Sequence, residues 1–178
     1  YASFGGHVRA RVESFKNYQF SPDNSDDSYL LTRLFLHADV HFTDSFRVYV
    51  EGKNCNITER KLPGGRRTLD VDSLDFQNFF ADLQYPFLQV GDFTLRIGRQ
   101  EMLFGKQRLI SPLNWVNTRR TFDGALGTWN WQDYQIAAFG SKLVQVRKYG
   151  FDNSSRQAKL WGLYATKQNA LWGSHADL

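Results

Sequence analysis

The sequence predicts an all-β protein, an antiparallel transmembrane β-barrel of which about eight strands are present. Three observations lead there. Apolar and polar residues alternate strictly over segments of about 10 to 13 residues, where strands of soluble sheets run to ~5–6. The connections between these segments alternate long and short, as in a barrel that elaborates only one rim. The aromatic content is high (15 Phe, 8 Tyr, 5 Trp) while Pro and Met are scarce, a balance that favours β structure.

The first segment sets Phe4, Gly6, Val8, Ala10 and Val12 against Gly5, His7, Arg9, Arg11 and Glu13. The second has Leu30, Thr32, Leu34, Leu36, Ala38, Val40 and Phe42 opposed by Arg33, Phe35, His37, Asp39 and His41. In the third, Phe46, Val48 and Val50 oppose Ser45, Arg47, Tyr49, Glu51 and Lys53. A fourth sets Phe79, Ala81, Leu83 and Tyr85 against Asn78, Phe80, Asp82 and Gln84, and a fifth sets Phe93, Leu95 and Ile97 against Thr94, Arg96 and Gly98. Residues 122–129, 134–141 and 158–166 supply three more, in which Gly and Ala blur the two faces. Long connections fall at 15–28, 54–75, 98–121 and 142–157, and their centres near Asp26, Pro63, Gln107 and Asn153 are expected to face outside the cell. Short ones fall at Thr43-Asp44, 86–92 and 130–133. Turn chemistry sits in the long connections at Ser21-Pro22-Asp23-Asn24, Leu62-Pro63-Gly64-Gly65 and Asp152-Asn153-Ser154. Tyr29, Phe42, Tyr85, Phe87, Trp129, Trp131 and Trp161 lie near strand ends, where interfacial girdles form.

The 178 residues allow a real core. Mean hydropathy is −0.49 and no apolar run exceeds four residues (136–139), which excludes a membrane-spanning helix but not a barrel that conceals its hydrophobicity at alternate positions. A net charge of +4, no basic run above two residues and no recognition motif argue against nucleic acid as a partner. Of the 22 basic residues 14 are Arg, the better planar partner for a carboxylate, which points to an anionic ligand. Cys55 stands alone, so neither an internal disulfide nor a thiolate zinc site is expected. No nucleophile elbow, zinc-protease motif or phosphate loop is present, and a chance carboxylate pair such as Glu13 and Asp39 is no basis for an enzyme. No cofactor is expected. Tyr1 already sits inside a strand pattern, which suggests a removed leader or a segment of something longer.

One stretch is more specific. Arg96-Ile97-Gly98-Arg99-Gln100-Glu101 leads into FGKQRLISPLNWVNTRRTFDG at 104–124. This resembles the signature of the alginate-export family of outer-membrane porins, carried here by Gly98, Arg99, Gln100, Glu101, Gly105, Gln107, Arg108, Leu109, Ile110, Trp115, Asn117, Arg120, Phe122, Asp123 and Gly124. The resemblance implies a barrel of about 18 strands in the bacterial outer membrane, a porin passing an anionic polysaccharide such as alginate or its oligomers through an arginine-lined lumen. It implies no enzyme activity, contact with outer-membrane lipid, and periplasmic partners that the sequence does not identify. Eight strands are under half such a barrel, and residues 174–178 lack a terminal aromatic, so residues 1–178 are expected to form one incomplete barrel segment. The alternatives are a closed eight-stranded barrel filled by side chains, a soluble carbohydrate- or lipid-binding barrel or sandwich, and a small structural barrel without a pore.

The polar faces of the three clearest segments carry five cations (Arg9, Arg11, Arg33, Arg47, Lys53) against three carboxylates (Glu13, Asp39, Glu51). With Arg96 from the fifth segment and Arg99 and Arg108 from the longest loop, Arg9, Arg11, Arg33 and Arg47 are the candidate pore-lining, substrate-binding residues. Their competing role is pairing with acids of neighbouring strands. Glu101, Arg120 and Asp123 are assigned to a structural network, since the two acids would repel an anion, and Trp115 to anchoring the loop. His37, Asp39 and His41 share one strand face and form a weak metal candidate. The acidic stretches 23–27 and 70–75 lack the full calcium-loop pattern and are expected to be solvated surface.

Overall fold

A computed structural model describes residues 1–20, 26–87, 90–170 and 174–177. The alternating segments form nine strands: β1 (Ala2–Phe15), β2 (Asp27–His41), β3 (Phe46–Ile57), β4 (Asp72–Phe87), β5 (Gly91–Gln100), β6 (Phe122–Trp131), β7 (Tyr134–Gln145), β8 (Asn153–Ala170) and β9 (Ser174–Asp177). They make one sheet in sequence order, each strand antiparallel to the next. β1 and β9 are its edges, so among the described residues the sheet is open and the closed eight-stranded alternative is not what forms.

The strands run past their sequence-predicted ends. The largest difference is at the last long loop, expected at 142–157 and observed at 146–152. A register shift after Lys142 lets β7 and β8 keep pairing through Val144↔Ser154 and Gln145↔Asn153. Such a bulge absorbs the residues that would otherwise break the alternation. The short strand β9, pairing Thr166↔Asp177, was not expected. Long connections at 58–71, 101–121 and 146–152 stand on one rim, opposite tight turns such as 42–45 and 132–133. The turn sequence at 21–24 and the centre of the 86–92 turn lie outside the described residues.

Register carries each apolar face into the next. Phe4↔Ala38, Val8↔Leu34 and Val12↔Leu30 join β1 to β2, Ala38↔Val50 joins β2 to β3, and Val48↔Ala81 joins β3 to β4. The run continues through Ala81↔Ile97, Ile97↔Ala125, Ala125↔Gly140 and Gly140↔Trp161 to β8. This face is bare: Phe4 is 79% and Val8 77% exposed, whereas Arg33 and Phe35 on the opposite face are 4% and 0% exposed. Among the described residues, buried polar and charged side chains outnumber buried apolar ones. That inverts the arrangement that water selects, and suits a wall with hydrocarbon on its outer side.

Where strands approach closely, glycine is required. Gly98 sits at φ +133°, and a Cβ there would stand 2.3 Å from the Phe79 carbonyl oxygen. The short-turn rim carries two of the expected aromatics, Trp129 stacked on Trp131, joined by Tyr134 stacked on Trp131, with the Trp129 indole donating to the Val90 carbonyl at 2.6 Å. Tyr29 does not belong to a girdle. Its parity on β2 turns it inward, where it packs with Leu31, Ile57, Leu62 and Val71 into an apolar cluster under the long loops.

An arginine at Val8 places a charge in the middle of the bare face and should cost about 2–4 kcal/mol in a bilayer. Gln84→Arg, on the polar face, should cost far less. Urea titration of the closed barrel that contains the chain, folded in phosphatidylcholine vesicles and read by heat-modifiable gel mobility, compares the two.

Candidate functional site: a charged face crossed by a loop

Alternation on β1 to β5 brings His7, Arg9, Arg11, Arg33, Phe35, Asp39, Arg47, Tyr49, Lys53, Phe80, Asp82 and Arg96 to one face. Toward the short-turn rim these charges form a cross-strand ladder. Arg47 binds Asp39 through Nε at 2.7 Å and Nη2 at 2.9 Å, and reaches Asp82 through Nη1 at 3.2 Å. Asp82 also accepts from Arg96 at 2.7 and 2.8 Å, and the Arg96 guanidinium lies 3.8 Å from the centre of the Phe80 ring. Register sets this up, since Arg47 opposes Asp82 and Asp82 opposes Arg96. The ladder alternates in sign and satisfies its own charges. It also occupies the Asp39 carboxylate; His41 Nε2 approaches that carboxylate at 3.4 Å, but His37 stacks on Tyr49 at 5.4 Å, so the three do not converge as a ligand set.

Toward the long-loop rim the face is covered by the 101–121 loop. This loop leaves β5 yet reaches β1, four strands away, or ~19 Å at the usual strand spacing. Arg9 donates to the carbonyls of Asn114 (3.0 Å) and Val116 (2.9 Å) and to the Asn117 side chain (3.2 Å). Arg33 donates to the carbonyls of Asn117 (3.0 Å), Asn114 (3.1 Å) and Val116, and Arg11 to that of Trp115. The Asn117 amide lies within bonding distance of the carbonyls of Thr32 (3.0 Å), Asn56 (3.1 Å) and Asp70 (2.8 Å), tying β2, β3 and the 58–71 loop together. Earlier in the same loop, Phe104 stacks on Phe139 of β7 and leans on Tyr164 of β8, both at 5.0 Å. The loop thus spans the polar face from β8 to β1.

At the loop's base Glu101 pairs with Arg119 and accepts from Gln77 at 2.6 Å. Burial pushes the Glu101 carboxyl above its ordinary value, against the pull of Arg119. Arg120 enters through its backbone N–H, which donates to Pro112 at 2.8 Å. Asp123 accepts from Arg99 (2.9 and 3.2 Å) and from Ser154. Glu101, Arg120 and Asp123 are therefore not in contact as one network. Arg99 shares its register row with Phe79 and Asp123, at the margin of the apolar face, and does not join Arg9, Arg11, Arg33, Arg47 and Arg96.

The acidic stretch 70–75 is not solvated surface. Asp72 is fully buried and Asp70 and Asp75 nearly so. Lys53, itself buried, holds Asp72 at 2.5 Å and Asp152 at 2.8 Å, while Asp75 accepts the backbone N–H of Asp152. Three carboxylates in this arrangement have metal-like spacing, but the Lys53 ammonium stands among them and supplies the positive charge. In the 58–71 loop, burial would raise the Asp70 carboxyl, but the bonds from the Arg67 guanidinium and N–H prevail and hold it below the usual carboxylate value.

Sequence reasoning missed Asn117 as the tie of the loop, Asp82 as the acid shared by Arg47 and Arg96, and the pairing of Lys53 with Asp152. Asn117 was visible as part of the Trp-x-Asn signature, and Asp82 as an acid at an inward parity. Nothing local marked Asp152 as a partner for a residue 99 positions away. Trp115 is held through its carbonyl, the residue itself being 66% exposed. Lys106 and Arg108, at the exposed middle of the loop, make no hydrogen bond or ion pair among the described residues.

Residues 1–176 match the family model described as Alginate export. No curated protein and no solved structure matches the chain.

Asn117→Ala strips the loop of its tie and should cost about 2–3 kcal/mol, at ~1 kcal/mol per lost bond; limited proteolysis should then cut within 101–121. Because the native Asp70 value lies below the unfolded one of ~3.9, its contribution is complete above that pH and is lost as pH falls through the native value. The difference in urea midpoint between wild type and Asp70→Asn should be full at neutral pH and close in acid.

Proposed function

The chain belongs to the alginate-export family, and from that premise we propose that it forms part of the wall of an outer-membrane channel for an anionic polysaccharide. The observation that carries the proposal is the inverted burial: charged side chains lie sheltered beneath a loop on one face while the other face is apolar and bare. A sheet of this kind is stable with lipid on its bare side and a polar lumen on the other. The open edges of β1 and β9 need strand partners in a bilayer, where each unpaired backbone group costs several kcal/mol, and further strands close the ring. The long connections face the cell exterior, where elaboration is unconstrained. Transport of this type is passive diffusion through a channel and involves no catalysis.

The arginines divide the labour. Arg9, Arg11 and Arg33 hold the loop, and Arg47 and Arg96 are held by Asp39 and Asp82. These five shape the lumen and keep its potential mild. Direct contact with substrate carboxylates falls to Lys106 and Arg108, on the exposed middle of the loop that narrows the passage. Exposed cations bind a polyanion weakly and reversibly, which is what passage demands.

Planar-bilayer conductance tests this. The wild-type channel should conduct small ions, be blocked by oligomannuronate, and ignore a neutral dextran of the same length. Lys106→Gln with Arg108→Gln should weaken the uronate block by about tenfold, at roughly 0.5–1 kcal/mol per exposed charge. A channel blocked equally by dextran and uronate would overturn the proposed selectivity.

A further inference from the structure

The apolar outer face ends in a sharp row, and that row holds two cations that make no ion pair among the described residues. Across β7 and β8 three consecutive register pairs on the outer face are Ala138↔Leu163, Gly140↔Trp161 and Lys142↔Lys159. The first two pairs are apolar, with Leu163 and Trp161 widely exposed. The third sets two exposed lysines directly opposite each other. Like charges in facing positions of a sheet repel, so the pair is unfavourable unless an anion lies between them.

The protein supplies that anion only in part: the Asp123 carboxylate acts on Lys142 from the facing position, without an ion pair, and Lys159 lies one strand further away. Asp123 opposes Lys142 in register, but its two oxygens are bound by Arg99 and Ser154. Along this row, Phe79, Arg99, Asp123, Lys142 and Lys159, the Arg99–Asp123 pair cancels and both lysines remain. Neither amine makes a hydrogen bond or ion pair among the described residues. Between them lies a groove of about 400 Å³, lined by Lys142, Lys159, Gly140, Asp123 and Trp161. A Cβ built on Gly140 meets nothing within 4 Å, so the groove is open where a side chain would otherwise fill it.

We propose that Lys142 and Lys159 clamp the anionic phosphate of a membrane lipid headgroup, with the acyl chains running down the apolar face past Trp161 and Leu163. The occupant follows from position and charge. The clamp stands where the outer face turns from apolar to charged, which in a bilayer is the headgroup level, and an indole beside it suits that interface. Two ammonium groups and a phosphate are complementary as point charges. The inference rests on the membrane reading of the preceding section and adds a specific lipid contact to it.

Thermal unfolding of the closed barrel that contains the chain, inserted in vesicles, provides the test, with phosphatidylcholine alone compared with phosphatidylcholine doped with phosphatidic acid at equal ionic strength. Wild type should unfold at a higher midpoint in the doped vesicles, since a ligand bound only by the native state stabilises it. Lys142→Gln with Lys159→Gln should lose most of that rise while remaining at least as stable as wild type in phosphatidylcholine, the repulsion being gone. A charge-matched control, Lys16→Gln with Lys61→Gln, should keep the rise. The inference is overturned if the clamp variant keeps the full rise, as lysines that merely snorkel to water would allow, or if the control loses as much. It is also overturned if inorganic phosphate added to plain phosphatidylcholine vesicles reproduces the effect. Insertion of wild type without any rise sinks this inference alone, whereas failure to insert at all sinks the membrane reading and this inference together.

Discussion

The carbonyl groups of Asn114, Trp115, Val116 and Asn117 turn toward the polar face of the sheet, those of Asn114 and Trp115 at its exposed edge and those of the buried Val116 and Asn117 where each needs a donor. Arg9, Arg11 and Arg33 supply them. A buried carbonyl left without a partner costs about 1–3 kcal/mol, so the guanidinium groups and the loop stabilise one another. Much of the site depends on this exchange. With the loop in place, Asn117 reaches β2, β3 and the 58–71 loop, Phe104 covers β7 and β8, and the polar face becomes an interior. Without it, the same arginines would be solvated cations on an open sheet.

The same accounting governs the rest of that face. Arg47 and Arg96 share Asp82, and Lys53 sits between Asp72 and Asp152. Buried charge is tolerated only when paired, and each pair here joins two elements, neighbouring strands in most cases and, for Lys53 with Asp152, elements distant in the chain. The pairs therefore act as cross-links that hold the wall and its loops in one arrangement. They also explain why a face so rich in arginine offers few free cations to a passing anion, and why those few lie on the loop.

The outer face follows the opposite logic. It has no internal partner to satisfy, so its limits follow its surroundings: apolar across the middle, aromatic at the short-turn rim, charged at the row of Arg99, Asp123, Lys142 and Lys159. A slip of one residue in any register would exchange the two faces of a strand. The register shifts in β3–β4 and β7–β8 stand near the long-loop rim, beyond the stretch where the faces must stay aligned.

The first eight strands, and the two faces of the first five, were readable in the amino-acid sequence, because successive side chains of an extended backbone point to opposite sides whatever surrounds them. Arg9, Arg33, Arg47 and Arg96 were placed on the polar face for that reason. Which acceptor each arginine takes was not readable. Arg33 bonds a carbonyl 84 residues away and Lys53 a carboxylate 99 residues away, and no local pattern encodes either. Arg99, three residues after Arg96, went to the margin of the apolar face because its parity differs and Asp123 stands opposite. The acids at 70–75 looked like surface by composition and proved buried, since a lysine from β3 and the 146–152 loop close over them. Parity is a property of the covalent chain and so resides in the sequence. The choice of partner depends on where a loop lands, and only the packing of the whole sheet decides that.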